Sequence, residues 1–363
     1  MSEQSPVGPR PVRCLSFHSD YACANTGVCC SSGWDIAVEV SAERSLKRRL
    51  SADSRRFPNG TDGFEPMADP PPGCQSVLRR SAVTGACWFR DEADGRCAVH
   101  REFGEVSLPS ACRQFPRVCV LEPDCVALSL THYCPTAAAL LFRPGAGFRV
   151  DESPKSFPPA WPYEGLDARS AYSPFLRPGV LLGYDGLRAL ESEVLMALSA
   201  PDIFGAIQRV RWVVNAAHAW TPSAGGLVEL IRHSRAGEVV PFVPRDPRAV
   251  LNASLPRGTR IDAALPEWDG RVGQIGETVD LALRRYIAAR FFGSWITFLA
   301  DDLMTTAAYL DLCLNTVLLF AGARSADEPE LSRWKEAIRS SDLWLMHHCD
   351  PDLIARNCGR VSG

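Results

Sequence analysis

Cysteine is the residue whose number and spacing point most directly to chemistry in this 363-residue chain. Eleven of the 14 cysteines lie before residue 135, where uniform scatter would place about five. Clustered thiols form disulfides in an oxidising compartment and tend to bind metal in a reducing one. The compartment therefore decides which chemistry this cysteine-rich segment can perform.

The compartment can be predicted from the absence of export and membrane signals. Residues 1–13 are polar and proline-rich and lack the apolar segment of a secretory signal. The most apolar stretch, 295–320, carries Asp301 and Asp311, which argues against a membrane span. We therefore expect a cytoplasmic protein with reduced thiols and no membrane partner. The net charge of -3 also argues against nucleic acid as a partner, because phosphate binding needs a surplus of cations.

Seven cysteines have a local context that suits a metal ligand. The adjacent pair Cys29-Cys30 can offer thiolates to one metal or to two close metals, because a disulfide between neighbours is strained. Two more cysteines flank the Asp94-Gly95 turn of an expected hairpin. Two others stand at expected helix starts, where the helix dipole favours a thiolate. The predicted metal ligands are Cys23, Cys29, Cys30, Cys87, Cys97, Cys112 and Cys134.

The spacing of these cysteines matches no common metal motif. The chain has no C-x2-C, which excludes zinc-finger, zinc-ribbon and bacterial ferredoxin patterns, and no C-x3-C-x2-C of the radical S-adenosylmethionine type. Spacing leaves open both zinc and iron–sulfur, and it leaves open which four cysteines share a site. The alternative, in which the thiols are small core residues, suits one isolated cysteine better than seven clustered ones. His100 and His132 are weaker candidate ligands.

The combined motifs resemble those of a known family. In chain order they read Cys23-x5-Cys29-Cys30-x3-Trp34-x-Ile36, Cys87-x9-Cys97-x2-His100, Cys112-Arg113-x-Phe115-Pro116-Arg117 and Cys134-Pro135-x-Ala137-Ala138. Over residues 20–142 this string is similar to the YkgJ-type cysteine-cluster family, which is described as chelating zinc or iron. Within that family it most resembles the branch of flagellin lysine-N-methylases.

The resemblance implies a metal centre bound by the seven cysteines, an iron–sulfur cluster of the 4Fe-4S kind in the methylase branch. It further implies S-adenosylmethionine as methyl donor and flagellin as protein substrate. Seven thiols exceed the four ligands of one site, so a second site or spectator thiols must be allowed. Cys119 and Cys125 depart from the branch pattern, and the sequence identifies no methyltransferase residue. The alternative is a non-catalytic binding module stabilised by zinc or an iron–sulfur cluster.

The elements that must position these residues fall into three predicted regions. They are a cysteine-rich metal-binding domain with short hairpins (14–142), a linker rich in proline and glycine (143–180) and a helical domain (181–363). Residues 118–130 predict a hairpin, and apolar residues recur at helical spacing over 187–198, 203–217 and 295–317. Breaker residues indicate a loop over 241–270. The predicted fold class is α+β, mainly α.

Overall fold

A computed structural model of the chain describes residues 9–234, 241–257, 265–268, 270, 272, 274–325 and 327–362. Most of the polar N-terminal segment and part of the expected loop 241–270 lie outside these residues. Helix accounts for 48% and strand for 12%, which confirms an α+β fold dominated by helix. Mixed sheets occupy the N-terminal part, and the C-terminal region is helical.

The strands of the described residues form three sheets. They are β1 (Val12–Leu15), β2 (Ala37–Glu39), β3 (Phe64–Pro66), β4 (Cys74–Leu78), β5 (Arg117–Leu121), β6 (Val126–Leu130), β7 (Val150–Glu152), β8 (Leu166–Asp167), β9 (Phe175–Arg177) and β10 (Val180–Leu181). The largest sheet has the order β7-β1-β6-β5-β8, and the smaller ones are β2-β4-β3 and β9-β10. The predicted hairpin over 118–130 is confirmed as β5 and β6.

Helices make up most of the rest of the described chain. They are α1 (Val40–Ala52), α2 (Ala98–Phe103), α3 (Ser110–Gln114), α4 (Pro135–Leu141), α5 (Tyr184–Ser199), α6 (Ile203–His218), α7 (Leu227–His233), α8 (Arg248–Ala253), α9 (Glu277–Phe291), α10 (Trp295–Leu299), α11 (Leu303–Gly322), α12 (Glu330–Leu343) and α13 (Pro351–Ser362). The helical patterns over 187–198 and 203–217 are confirmed as α5 and α6. Helix α8 lies within the segment that was expected to be loop.

Contacts divide the chain into two compact units. The cysteine unit is Ala22–Pro116, and the helical unit combines Met1–Tyr21 with Arg117–Gly363. These two units do not coincide with the three regions expected from composition, because strand pairing joins segments that are distant in sequence. Strand β1 pairs with both β6 and β7, and β5 pairs with β8. The proline- and glycine-rich segment 143–180 thus supplies strands to the sheet of the helical unit.

In the cysteine unit, a three-stranded sheet and one helix enclose a small apolar core. Strand β4 lies between β2 and β3, and α1 follows β2 directly. Val38 on β2, Leu46 and Leu50 on α1, and Phe89 from the cysteine-bearing segment are all buried in this core. The side chains of Cys87, Cys97 and Cys112 pack against the same core. Apolar packing therefore fixes the backbone that carries three predicted ligands.

In the helical unit, the long pattern over 295–317 is interrupted. The structure breaks it into α10 and α11, and the prediction of one continuous helix is wrong. The Asp302 carboxylate accepts a hydrogen bond from the Met304 N–H at 2.7 Å and caps the start of α11. An aspartate at this position favours a helix start because it satisfies an unpaired backbone donor.

Helix α11 is the one described helix with the length and hydropathy needed to cross a membrane, with a mean hydropathy of 1.5. Of its most apolar window, 78% is buried inside the protein. It packs against α6, α9, α12 and α13. Its apolar composition follows from burial by other helices on nearly all sides.

Candidate metal centre

Four of the seven predicted ligands meet in the cysteine unit. The thiols of Cys29, Cys87 and Cys97 neighbour the thiol of Cys30 and act on its pKa. We call these four residues the thiol cluster. Cys112 belongs to the same unit, and charges on three of these thiols act on it. The four residues come from three separate segments of the chain.

The two other predicted ligands have different surroundings. Cys23 is exposed, and its Sγ accepts a hydrogen bond from the Asn25 N–H at 3.4 Å. Cys134 belongs to the helical unit, where it is buried and lies 3.9 Å from the hydroxyl of Tyr21. Cys23 and Cys134 are therefore not counted as members of the thiol cluster.

Backbone hydrogen bonds hold the Cys29-Cys30 segment against the next cysteine segment. Residues Val28–Ser31 form a 3₁₀ turn that carries both adjacent cysteines. The Cys30 N–H donates to the Gly27 carbonyl at 3.0 Å, and the Cys30 carbonyl accepts from the Cys87 N–H at 2.7 Å. Two cysteines that are 57 residues apart in sequence are thereby aligned by a direct main-chain bond.

Gly27 permits a close approach that no other residue would allow. Its φ is +67°, and a Cβ added there would lie 1.8 Å from the Gly95 carbonyl oxygen. On the same side, the Asn25 side-chain carbonyl accepts a hydrogen bond from the Cys97 N–H at 3.3 Å. The loop before the adjacent cysteines is thus packed directly against the turn that precedes Cys97.

The expected turn at Asp94-Gly95 is present, but its cysteines pair differently from a simple hairpin. The Asp91 N–H donates to the Arg96 carbonyl at 2.8 Å, and Arg90 pairs with Cys97. Cys87 pairs instead with Arg80. The two cysteines therefore lie on successive antiparallel bridges and meet through Cys30, not across one pair of strands.

Helix starts carry three of the cysteines. The expected starts near Cys112 and Cys134 are confirmed: Cys112 lies in α3, which follows Pro109, and Cys134 is the N-cap of α4. The helix start at Cys97 was not predicted. The Cys97 Sγ accepts a hydrogen bond from the His100 N–H at 3.4 Å. A thiol that accepts a backbone N–H is stabilised in its anionic form.

In the thiol cluster, the pKa values of three cysteines are lowered and the pKa of Cys30 is raised. The interaction with Cys30 lowers the pKa of each of its three neighbours against the opposing effect of burial, and the pKa of Cys97 falls to about 7. Hydrogen bonding to the same three sulfurs raises the pKa of Cys30 itself. Burial raises the pKa of Cys112. A cation that replaces the proton of Cys30 would meet sulfur donors that ionise more readily than ordinary thiols.

The chemistry of this donor set fits a metal held by sulfur. Four cysteines are the ligand number of a structural zinc ion or of an iron–sulfur cluster. Cysteines outside the cluster behave differently, since burial raises the pKa of Cys14, Cys119 and Cys125 to about 12. These three are protonated thiols at neutral pH. The contrast separates the thiol cluster from ordinary packed cysteines.

A second group of potential ligand atoms lies at the tip of the β5–β6 hairpin. Among the described residues, Glu122, Asp124 and Cys125 are the one group of three whose potential ligand atoms all lie within 4.8 Å of one another, a mutual spacing that the sulfurs of the thiol cluster do not reach. The guanidinium of Arg188 already contacts the Glu122 carboxylate and lies 3.5 Å from the Cys125 sulfur. A cationic side chain therefore compensates the charge that a metal would otherwise balance.

A buried polar network in the helical unit was missed by the sequence analysis. His18 Nε2 lies 3.2 Å from His132 Nε2, and His132 Nδ1 lies 3.2 Å from the Asp342 carboxylate. Tyr286 donates its hydroxyl hydrogen to Asp342 at 2.9 Å, and Arg290 lies 3.6 Å from the same carboxylate. His132 had been considered only as a weak metal ligand. Its partners stand 114 and 210 residues away, so no local spacing could reveal them.

The charges in this network are set by burial and by Arg290. Burial lowers the pKa of His18 and of His132, so both imidazoles are neutral at physiological pH. Burial alone would raise the pKa of Asp342, but the charge of Arg290 and the hydrogen bonds of His132 outweigh it and lower that pKa. The network is therefore one buried ion pair with two neutral histidines attached.

Comparisons with known proteins identified no similar protein. A scan against protein-family models, a search of curated proteins and a search of solved structures each found no match. The family resemblance of the cysteine motifs stays a prediction that rests on the residues quoted above.

Proposed function

We propose that this chain is a cytoplasmic metalloprotein whose centre is held by the thiol cluster. The observation that carries the proposal is the convergence of Cys29, Cys87 and Cys97 on the thiol of Cys30. Three segments of one compact unit place these sulfurs together, and the backbone bonds around Gly27 and Cys87 fix their approach. Reduced thiols in such an arrangement are typical of metal sites in intracellular proteins.

Iron–sulfur is the proposed form of the centre, and zinc is the alternative. Thiolates suit both, so the choice of iron–sulfur is supported by the motif resemblance. Cys23, Cys112 and Cys134 remain candidate ligands of this or of a second site. Anaerobically purified protein should carry iron with acid-labile sulfide and absorb visible light. Colourless protein with stoichiometric zinc would instead establish the alternative metal.

The proposed activity is methyl transfer from S-adenosylmethionine to lysines of a protein such as flagellin. The motif resemblance alone supports this step. Calorimetry should detect S-adenosylmethionine binding to the metal-loaded protein, and a methyl-transfer assay should label a lysine-bearing protein of the native source. If the metal is present and neither result is obtained, the methylase proposal fails while the metal centre stands.

The second candidate is a non-catalytic module in which the metal acts as a structural staple. The small core of the cysteine unit favours it, because Cys87, Cys97 and Cys112 pack directly against that core. Small domains with limited cores commonly depend on a metal for stability. In this case, chelation should unfold the cysteine unit, and no S-adenosylmethionine should bind.

A further inference from the structure

A cleft of about 440 Å³ opens in the helical unit, among α6, α11, α13 and the chain around residue 245. Its floor is formed by Ala307, Leu312 and Cys358, which are all buried. Val250 and Met304 line its sides. The volume lies in the range of small-molecule sites in proteins, and alanines on α11 leave the space open.

One polar wall of the cleft is fixed by an internal ion pair. The Arg211 Nε lies 3.0 Å from both carboxylate oxygens of Asp311. The Arg211 guanidinium also lies 5.2 Å from the centre of the Phe242 ring. Its charge is thus compensated and its position is held from two sides.

Arg245 adds a cation at the rim that has no such partner. Its backbone N–H donates to the Asn315 side chain at 2.9 Å, which anchors the residue. Arg245 is exposed, and among the described residues its guanidinium makes no hydrogen bond or ion pair, although its charge acts on the Asp311 carboxylate. The adjacent Asp246 carboxylate is engaged by Arg248 at 2.8 Å. Arg245 is therefore a cation at the rim of the cleft that no carboxylate of the described residues contacts directly, beside an apolar floor.

We propose that this cleft binds a small amphipathic anion, whose acidic group contacts Arg245 and whose apolar or aromatic body lies on Val250, Met304 and Ala308. An apolar site with one placed charge selects ligands that carry the opposite charge at one end. The proposal is independent of the metal centre, since every residue of the cleft belongs to the helical unit.

Two fluorescent probes test the proposal on the full-length protein. Anilinonaphthalene sulfonate is an aromatic monoanion, and N-phenylnaphthylamine has the same aromatic body without the sulfonate. The sulfonate should bind in one equivalent and more tightly than the neutral probe. Arg245→Gln should weaken sulfonate binding about tenfold and leave the neutral probe unchanged. Arg232→Gln, at an exposed arginine of α7 outside the cleft, should change neither.

A cavity-filling variant locates the site. Ala308→Phe should abolish binding of both probes, and Ala308 is chosen because it is only partly buried, so a larger side chain can enter the cleft without opening the core. If that variant does not fold, the Arg245→Gln comparison still decides. Equal affinity for the two probes, or sulfonate binding that is unaffected by Arg245→Gln, would overturn the proposal.

Discussion

At the scale of single residues, Cys30 holds the key position in the thiol cluster. The three other thiols all act on its pKa, and its carbonyl accepts a hydrogen bond from the Cys87 N–H. Its proton is the one that a metal would displace. Removal of this side chain should therefore affect metal binding more than removal of any cysteine outside the cluster.

Cys30→Ala should abolish stoichiometric metal and destabilise the protein. Binding of a structural zinc ion is worth about 10–16 kcal/mol, which matches or exceeds the stability of a typical domain. Cys313→Ala is the matched control, because Cys313 is fully buried in α11 and burial raises its pKa. The control should keep its metal and lose only about 1 kcal/mol of unfolding free energy. Full metal content in Cys30→Ala would show that the ligands are wrongly assigned.

The pKa of about 7 at Cys97 predicts a pH profile for the metal-free protein. At pH 7 half of these thiols are ionised, whereas an ordinary thiol near pKa 9 is only about 1% ionised. The alkylation rate of Cys97, followed by mass spectrometry, should level off above pH 7 and fall roughly tenfold per unit below it. Because the pKa is lowered on folding, its contribution to stability is complete above pH 9 and is lost as pH falls through 7. An inflection near pH 9 would contradict the prediction.

At the scale of elements, the turn at Gly27 should be indispensable to the thiol cluster. Gly27→Ala would place a methyl group against the Gly95 carbonyl and should reduce metal content and the melting temperature together. Gly33→Ala is the control, because Gly33 also has a positive φ of +85° but nothing lies within 4 Å of an added Cβ. The control should lose only the unfolding free energy that corresponds to backbone strain at a positive φ, about 1 kcal/mol. Equal loss of metal in both variants would show that the close contact between Gly27 and the Gly95 carbonyl is not required for metal binding.

The buried network joins helices α9 and α12 to the end of strand β6, and Asp342 is its common partner. Asp342→Ala would leave the Arg290 cation buried without its carboxylate and should cost about 3–5 kcal/mol of unfolding free energy. Asp327→Ala removes an exposed carboxylate just before α12 and should leave the denaturation midpoint unchanged. Denaturant unfolding of both variants measures the difference. A stable Asp342→Ala protein would show that the network contributes little.

These elements also show which parts of the fold the sequence could predict. Helices α5 and α6 and the β5–β6 hairpin were predicted because their periodicity is local. The parallel pairing of β1 with β6 was not, because it joins residues more than 100 positions apart. The cysteines were recognisable by type and clustering, but only the fold selects the four that meet. The His18, His132 and Asp342 network had no sequence signal, since isolated polar residues become a group only on burial.

At the scale of the whole molecule, the chemistry is divided between the two units. The cysteine unit contributes every member of the thiol cluster from within Ala22–Pro116. The helical unit contains the cleft beside Arg245 and the buried network of His18, His132 and Asp342. The metal centre, the cleft and the network can therefore be tested by substitutions that do not share a residue.

The most direct test of the central claim is the metal and sulfide content of anaerobically purified protein. We expect stoichiometric iron with acid-labile sulfide, or stoichiometric zinc, with Cys29, Cys30, Cys87 and Cys97 protected from thiol reagents until the metal is removed. Absence of both metals, with Cys29, Cys30, Cys87 and Cys97 reacting as free thiols in the native protein, would contradict it.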